Sequence, residues 1–248
     1  MTDVERITPY GETGDTRHKS EQVKQMFDCI APSYDRMNRL MSLGLDKLWR
    51  KKCVRLARDT HPRDILDLAA GTGDLTIALA KAVPGSTVTG GDLSEGMIEV
   101  GLKKINAAGL SDRVTLRVAD ALDLPFADDS FDVVTIAFGV RNFENLARGY
   151  AEMLRVLRRD GTLVVLELTP PSSRVVKPLY DFYTGCIIPA VGRSIAGDRR
   201  AYSYLPESIA AVPARDKMAA LMTSSGFTEP RWQSLSLGVA TIYTAKKP

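Results

Sequence analysis

The chain has 248 residues, 44% of them hydrophobic and 25% charged, which suffices for one α/β domain with a full core and matches an ordinary globular protein. Its 33 basic and 30 acidic residues leave a net charge of +3, too small an excess to indicate a nucleic-acid partner, though it suits an anionic surface. Three scattered cysteines, Cys29, Cys53 and Cys186, argue against a disulfide framework or a cysteine-rich metal site. The opening MTDVERITPYGETGDTRHK has no apolar core of a signal peptide, and no run of 18 apolar residues exists to span a bilayer. The expected setting is a reducing cytoplasm.

Residues 1–19 read as a flexible polar tail, and 20–248 as a single domain. Val23, Met26, Phe27 and Ile30 recur at helical spacing, as does the pattern from Leu40 to Arg58, so residues 20–60 form a helical cap. Ile65–Ala69 is a short apolar run ending at a Gly-Thr-Gly turn, the mark of a buried parallel strand. A helix follows from Leu75 to Val83, then a strand from Ser86 to Asp92 and a helix to about Ala108. Further strands are expected at Val114–Ala119, Phe131–Phe138 and Thr162–Leu168, with a helix at Asn145–Leu157. Residues 170–210 interrupt the alternation with aromatics, prolines and glycines, a helical insertion on the substrate side. After a helix at Asp216–Ser225, Trp232–Leu237 and Val239–Ala245 form either an antiparallel hairpin or a bulged strand pair. The alternation specifies a doubly wound α/β fold with a mostly parallel seven-stranded sheet.

The chemistry clusters at predicted strand ends. The turn Asp67-Leu-Ala-Ala-Gly-Thr-Gly-Asp74 lets backbone approach a ligand. Thr76 stands where a dinucleotide fingerprint requires its third glycine; the pattern instead resembles the methyltransferase signature, with Ala69 in place of the first glycine. Asp92, with Leu93 beside it, ends the second strand and can accept both hydroxyls of a ribose; Asp120 ends the third, and with Ala121 it suits an adenine edge. A lone strand-end aspartate is usually a helix cap, but three in register with a glycine turn point to a nucleoside. S-adenosylmethionine carries no phosphate and needs no P-loop lysine; its amino-acid end can meet Gly71, Gly73 and the Thr72 hydroxyl.

Longer strings narrow the reading. Met26-Phe-Asp-Cys-Ile-Ala-Pro-Ser-Tyr-Asp-Arg-Met-Asn38, Met41-Ser-Leu-Gly44, Trp49-Arg50, Thr135-Ile-Ala-Phe-Gly-Val-Arg-Asn142, Leu179-Tyr-Asp-Phe-Tyr183 and Tyr204-Leu-Pro-Glu-Ser-Ile209 resemble the quinone-biosynthesis C-methyltransferase family over about residues 20 to 246. Ala70 and Ala137 depart from it, the first standing where members often have glycine and the second where some have serine. The resemblance implies a Rossmann-like class I methyltransferase fold and S-adenosylmethionine as donor, with S-adenosylhomocysteine as product. It also implies a prenylated quinol as acceptor, demethylmenaquinol or a ubiquinone precursor. Cofactor contacts then fall to Asp67, Ala69, Gly71, Thr72, Gly73, Asp92, Leu93, Asp120, Ala121 and Ala137, and substrate contacts to Tyr34, Asn142, Tyr180, Tyr202 and Tyr204.

His18 in the tail and His61 before Pro62 are expected at the surface, so a histidine base is not. Arg141 is the expected catalytic residue, stabilising a forming phenolate; a surface salt bridge is its plainer reading. Tyr34 and Phe138 are candidates to face the sulfonium. The basic and apolar mixture in residues 174–200 fits a lid touching an anionic membrane from the inner face of a bacterial cytoplasm, or equally a helix pair with solvated charges. No metal is expected. A homodimer, or contact with other enzymes of quinone synthesis, remains open. So do a methyltransferase with a small soluble acceptor, a nicotinamide-dependent oxidoreductase and a non-catalytic subunit.

Overall fold

Strands buried on both faces must send alternate side chains into two separate cores, and this sheet does so. The computed structural model describes residues 17–187 and 199–248. Its strands are β1 (Asp64–Leu68), β2 (Thr87–Asp92), β3 (Val114–Val118), β4 (Phe131–Ala137), β5 (Leu157–Leu168), β6 (Thr228–Leu235) and β7 (Ala240–Lys246). Ile65, Val133 and Val164 face one core; Leu66, Val134 and Val165 face the other. The helices α3 (Leu45–Arg58), α4 (Asp74–Ala82) and α5 (Glu95–Ala107) cover the first, through Cys53, Leu79 and Ile105 among others. The helices α6 (Leu146–Val156) and α9 (Asp216–Ser224) cover the second, through Tyr150, Met153, Met218 and Met222.

The order across the sheet is β3-β2-β1-β4-β5-β7-β6. β1 to β5 are parallel, and β7 runs antiparallel between β5 and β6. Of the two readings for the last strands, the structure takes the antiparallel hairpin. Its connection, Ser236–Gly238, holds three successive residues at positive φ. The chain winds outward from β1 and returns to place β4 on its other side, so the crevice for a ligand opens at the carboxyl ends of β1 and β4.

Above those ends lie α1 (Lys19–Ile30), α2 (Tyr34–Met41) and α3, facing the insertion: α7 (Val176–Phe182), a π-helical turn (Tyr183–Ile187) and α8 (Arg199–Ala211). Val23, Met26 and Met37 of the first group bury against Tyr204 of the second, a third apolar cluster that joins cap and insertion.

Two boundaries differ from expectation. Lys19, counted with the polar tail, is the buried first residue of α1, and the rest of that tail up to residue 16 lies outside the described residues. β5 begins at Leu157, directly after α6. It pairs there with Phe131, breaks register around Asp160 (φ +62°), and resumes at Thr162 opposite Val133. Among the described residues no helix is long and apolar enough to cross a membrane, and no cluster of three His, Cys, Asp or Glu could hold a metal ion.

Candidate active site

Where β1 ends, Ala69, Gly71 and Gly73 all take positive φ (+49°, +55° and +77°), turning the chain sharply into α4. At Gly71 and Gly73 glycine removes the Cβ clash that this conformation imposes. Asp92 holds the turn from the next strand: Oδ2 accepts the Gly71 N–H at 2.8 Å and Oδ1 accepts the Ser94 N–H at 2.8 Å. Burial raises its carboxyl pKa, against those N–H bonds. Asp120 Oδ1 accepts the Leu122 N–H at 2.8 Å. Each carboxylate keeps lone pairs for a ligand.

These residues bound one cleft, lined by Ala69, Gly71, Asp92, Leu93, Asp120, Ala121 and Ala137 and roofed by Val23 and Phe27 of α1. The donor set fits S-adenosylmethionine: carboxylates at two successive strand ends for hydroxyl and amine donors, and a glycine turn for its amino-acid end.

Three of the expected cofactor residues stand back from the cleft. Asp67 is buried, accepting hydroxyls from Thr76 (2.6 Å) and Thr135 (2.7 Å), and burial pushes its carboxyl up to about 6. It braces the turn from beneath and borders only a small side pocket beside Arg50. Thr72 lines that side pocket, but its hydroxyl donates to Asp35 at 2.5 Å and accepts from Lys104 at 3.1 Å, tying α2 to the turn. Gly73 reaches neither the cleft nor the side pocket and starts α4.

Next to the cleft is a cavity of about 440 Å³, within the range of small-molecule sites. Its wall is apolar: Met26, Ile30, Met37, Met41, Trp49, Leu168, Leu179, Leu205 and Ile209 among others. Tyr34, Arg141, Asn142, Tyr180 and Tyr204, all expected at the substrate, line it. The side chain of Tyr202 lies outside the described residues. The Tyr204 hydroxyl donates to Asn142 Oδ1 at 3.1 Å, and burial pushes the phenols of Tyr180 and Tyr204 up to about 12. Tyr34 and Phe138 border the cleft, the cavity and the side pocket alike, so they stand at the junction where donor and acceptor would meet. Phe138 holds φ +60°, and the Arg50 guanidinium lies 5.7 Å from its ring centroid.

Arg141 is no surface ion pair. It sits on a 3₁₀ turn (Val140–Asn142) after β4, 7% exposed. Its Nη1 donates to Glu167 Oε1 at 2.9 Å and to the Phe138 carbonyl, and its backbone N–H donates to Glu167 Oε2 at 3.2 Å. Burial pulls the guanidinium pKa down, but Glu167, Tyr34 and Tyr204 hold it above its usual value, so it is always charged. Its Nε is buried without an acceptor among the described residues.

Several members of the site escaped the sequence reading. Glu167 is fully buried; an acid within the apolar run Leu163–Leu168 was its only signal. Lys19 is 7% exposed and donates to the carbonyls of Arg141 and Phe143, both at 3.2 Å; burial pulls its ammonium down to about 8. Asp28 of α1 accepts the Ser94 hydroxyl (2.6 Å) and the Gly96 N–H (3.0 Å), fastening the roof to the start of α5. His18 and His61 are exposed, as expected.

The chain has full-length relatives of known name. Demethylmenaquinone methyltransferase of Porphyromonas gingivalis is 49% identical over the full length of both chains. The ubiquinone/menaquinone biosynthesis C-methyltransferase UbiE of Geobacter sulfurreducens is 40% identical over 98% of this chain and 93% of its own. Among solved structures, the [4+2]-cyclase SpnF superposes with a TM-score of 0.71 at 18% identity, covering 95% of this chain and 99% of its own. A phosphoethanolamine N-methyltransferase 2 of Haemonchus contortus, solved with S-adenosyl-L-methionine, gives 0.54 at 16% identity, over 75% of this chain and 49% of its own. These two share the fold alone, and their different chemistries leave the assignment to the site. The sequence model of the ubiE/COQ5 methyltransferase family matches residues 15–247, and the chain belongs to that family.

Proposed function

We propose that this protein methylates a ring carbon of a prenylated quinol, converting demethylmenaquinol to menaquinol, with a prenylated benzoquinol of ubiquinone synthesis as second substrate. The observation that carries the reading is a buried, permanently charged Arg141 with an unused Nε on the wall of an apolar cavity adjoining the nucleoside cleft. When bound, S-adenosylmethionine supplies an electrophilic methyl group and leaves as S-adenosylhomocysteine.

Everything else falls to the chain. A phenol of pKa about 10 costs roughly 4 kcal/mol to ionise at pH 7, since each pH unit is worth about 1.36 kcal/mol. A charge-assisted hydrogen bond from Arg141 returns about 1.5–3 kcal/mol, and more in a dry site. Glu167 keeps the guanidinium in place for it. The quinol hydroxyl gives its proton to solvent, and the phenolate places electron density on the adjacent carbon. A carbon–carbon bond forms there as the sulfur–methyl bond breaks. The ring C–H proton then leaves and the oxygen is reprotonated, a net release of one proton. Tyr34 and Phe138 at the junction hold the two reactants together, so alignment supplies the remaining acceleration.

Mass spectrometry tests this. Protein, S-adenosylmethionine and either reduced demethylmenaquinol or a prenylated benzoquinol are mixed in detergent. A gain of one methylene unit, abolished in Arg141→Met and Asp92→Ala, is expected. Cofactor binding without a gain on either lipid would transfer the assignment to a small soluble acceptor.

A further inference from the structure

The apolar cavity has a rim that an aqueous enzyme would not be expected to keep. Two segments distant in sequence supply it. Leu40, Leu43 and Leu48, around the α2–α3 turn, are 45%, 73% and 64% exposed. Val175, Leu179 and Phe182, at α7, are 85%, 71% and 57% exposed. The segments touch, since the Tyr183 hydroxyl donates to the Met41 carbonyl at 3.1 Å. Leu43, Leu179 and Phe182 also belong to the cavity wall, so the exposed patch and the cavity are one continuous apolar surface. Contiguous exposed apolar surface of this kind marks a binding site.

The surrounding charge identifies the partner. Arg36, Arg39, Lys47 and Lys51 are exposed, and none forms an ion pair among the described residues. The two acids of this stretch are withdrawn: Asp46 is buried against Arg50 and Ser42, and Asp35 is bound to Lys104 and Thr72. Bulky apolar side chains flanked by exposed cations suit the interface of an anionic bilayer, where leucines enter the acyl boundary and the cations meet lipid headgroups. A protein partner with an acidic rim would also meet the cations, but lipid in addition accounts for a patch that runs on into the cavity.

We propose that the α2–α3 turn, together with α7, docks on an anionic membrane and opens the cavity directly onto its hydrocarbon. A long isoprenoid tail then stays in lipid while its ring enters the site. This rests on the reading of the acceptor as a prenylated quinol, but vesicle binding tests it without any acceptor present.

Full-length protein is sedimented with vesicles of phosphatidylglycerol and phosphatidylcholine, and with phosphatidylcholine alone. The expected result is binding to the anionic vesicles, reduced about tenfold or more in Leu40→Ser/Leu48→Ser/Val175→Ser and in Arg39→Glu/Lys47→Glu. None of these five residues lines the cleft or the cavity. The variants should therefore keep wild-type turnover of a short-tailed, water-soluble quinol and lose turnover of a long-tailed quinol held in vesicles. Wild-type protein that fails to sediment, or variants that sediment like wild type, would overturn the docking. So would variants that change the oligomeric state instead, which would make this face a contact between copies. Leucine-dependent vesicle binding with no methylation of either quinol would uphold the docking and defeat only the reading of the reaction.

Discussion

Asp67→Asn removes a charge from beneath the cofactor turn without changing the side chain's shape. In the folded protein Asp67 is 1% exposed and burial lifts its pKa to about 6, against 3.8 for an aspartate in water. The gap of about 2.2 units, at about 1.36 kcal/mol per unit, is a cost of roughly 3 kcal/mol for holding the ionised carboxylate in place. The sign follows from proton counting. Below pH 3.8 the folded and unfolded chains are both protonated at this site, and there is no cost. Between 3.8 and about 6 the folded state holds the extra proton, so stability falls as pH rises. Above 6 both states are ionised and the full cost remains. Asparagine carries no such cost and keeps an acceptor oxygen for Thr76 or Thr135, with the other hydroxyl free to rotate. Urea denaturation at pH 3 to 8 should give nearly equal stabilities for the two proteins at the acid end. The variant's advantage should grow to about 1–3 kcal/mol by pH 6 and stay level above it. A difference that does not change with pH, or a variant weaker than wild type at pH 7, would refute the account of Asp67 as a strained brace.

Other substitutions probe the remaining parts of the site. Glu167→Ala leaves the Arg141 guanidinium buried without its counter-charge, which should cost about 3–5 kcal/mol by denaturation, while Glu167→Gln should cost less because its one amide oxygen can still accept from Arg141 Nη1 and the Leu168 N–H. Gly139→Ala places a Cβ 2.5 Å from that of Ala69 and 2.9 Å from Ile136 Cδ1, so it should displace the cofactor turn. The expected loss is about 1–3 kcal/mol, with weaker S-adenosylmethionine binding by calorimetry. Tyr204→Phe removes the hydroxyl that orients Asn142; about 1 kcal/mol of stability should go and KM for the quinol should rise, with cofactor Kd unchanged. Asp28→Ala unfastens α1 from the start of α5, costing about 0.5–2 kcal/mol and speeding amide exchange in α1.

Local signals carried much of the architecture. Apolar runs such as Ile65–Leu68 and Phe131–Ala137 are bounded by turns and buried on both faces, so composition alone marks them as strands. Asp92 and Asp120 were legible for the same reason: a residue at the end of a parallel strand lies at the ligand crevice whatever the rest of the chain does. What the residues around Arg141 do could not be read that way. Its partner Glu167 is 26 positions away on the neighbouring strand, and Lys19, which braces its carbonyl, is 122 positions away in a segment whose polarity reads as tail. The positions of Asp67 and Thr72 back from the cleft were no more legible, because partners on other elements, Thr76 and Thr135 for Asp67 and Asp35 for Thr72, claim their oxygens. Strands, glycine turn and strand-end acids were legible because they depend on contacts close along the chain and on the two-residue period of a buried strand. Packing in three dimensions settles which side chains brace the turn and which line the cleft, buries a charged arginine at the cavity, and joins two distant segments into one apolar rim. Burial and pairing across a fold are set by where the elements pack, and no local pattern records that.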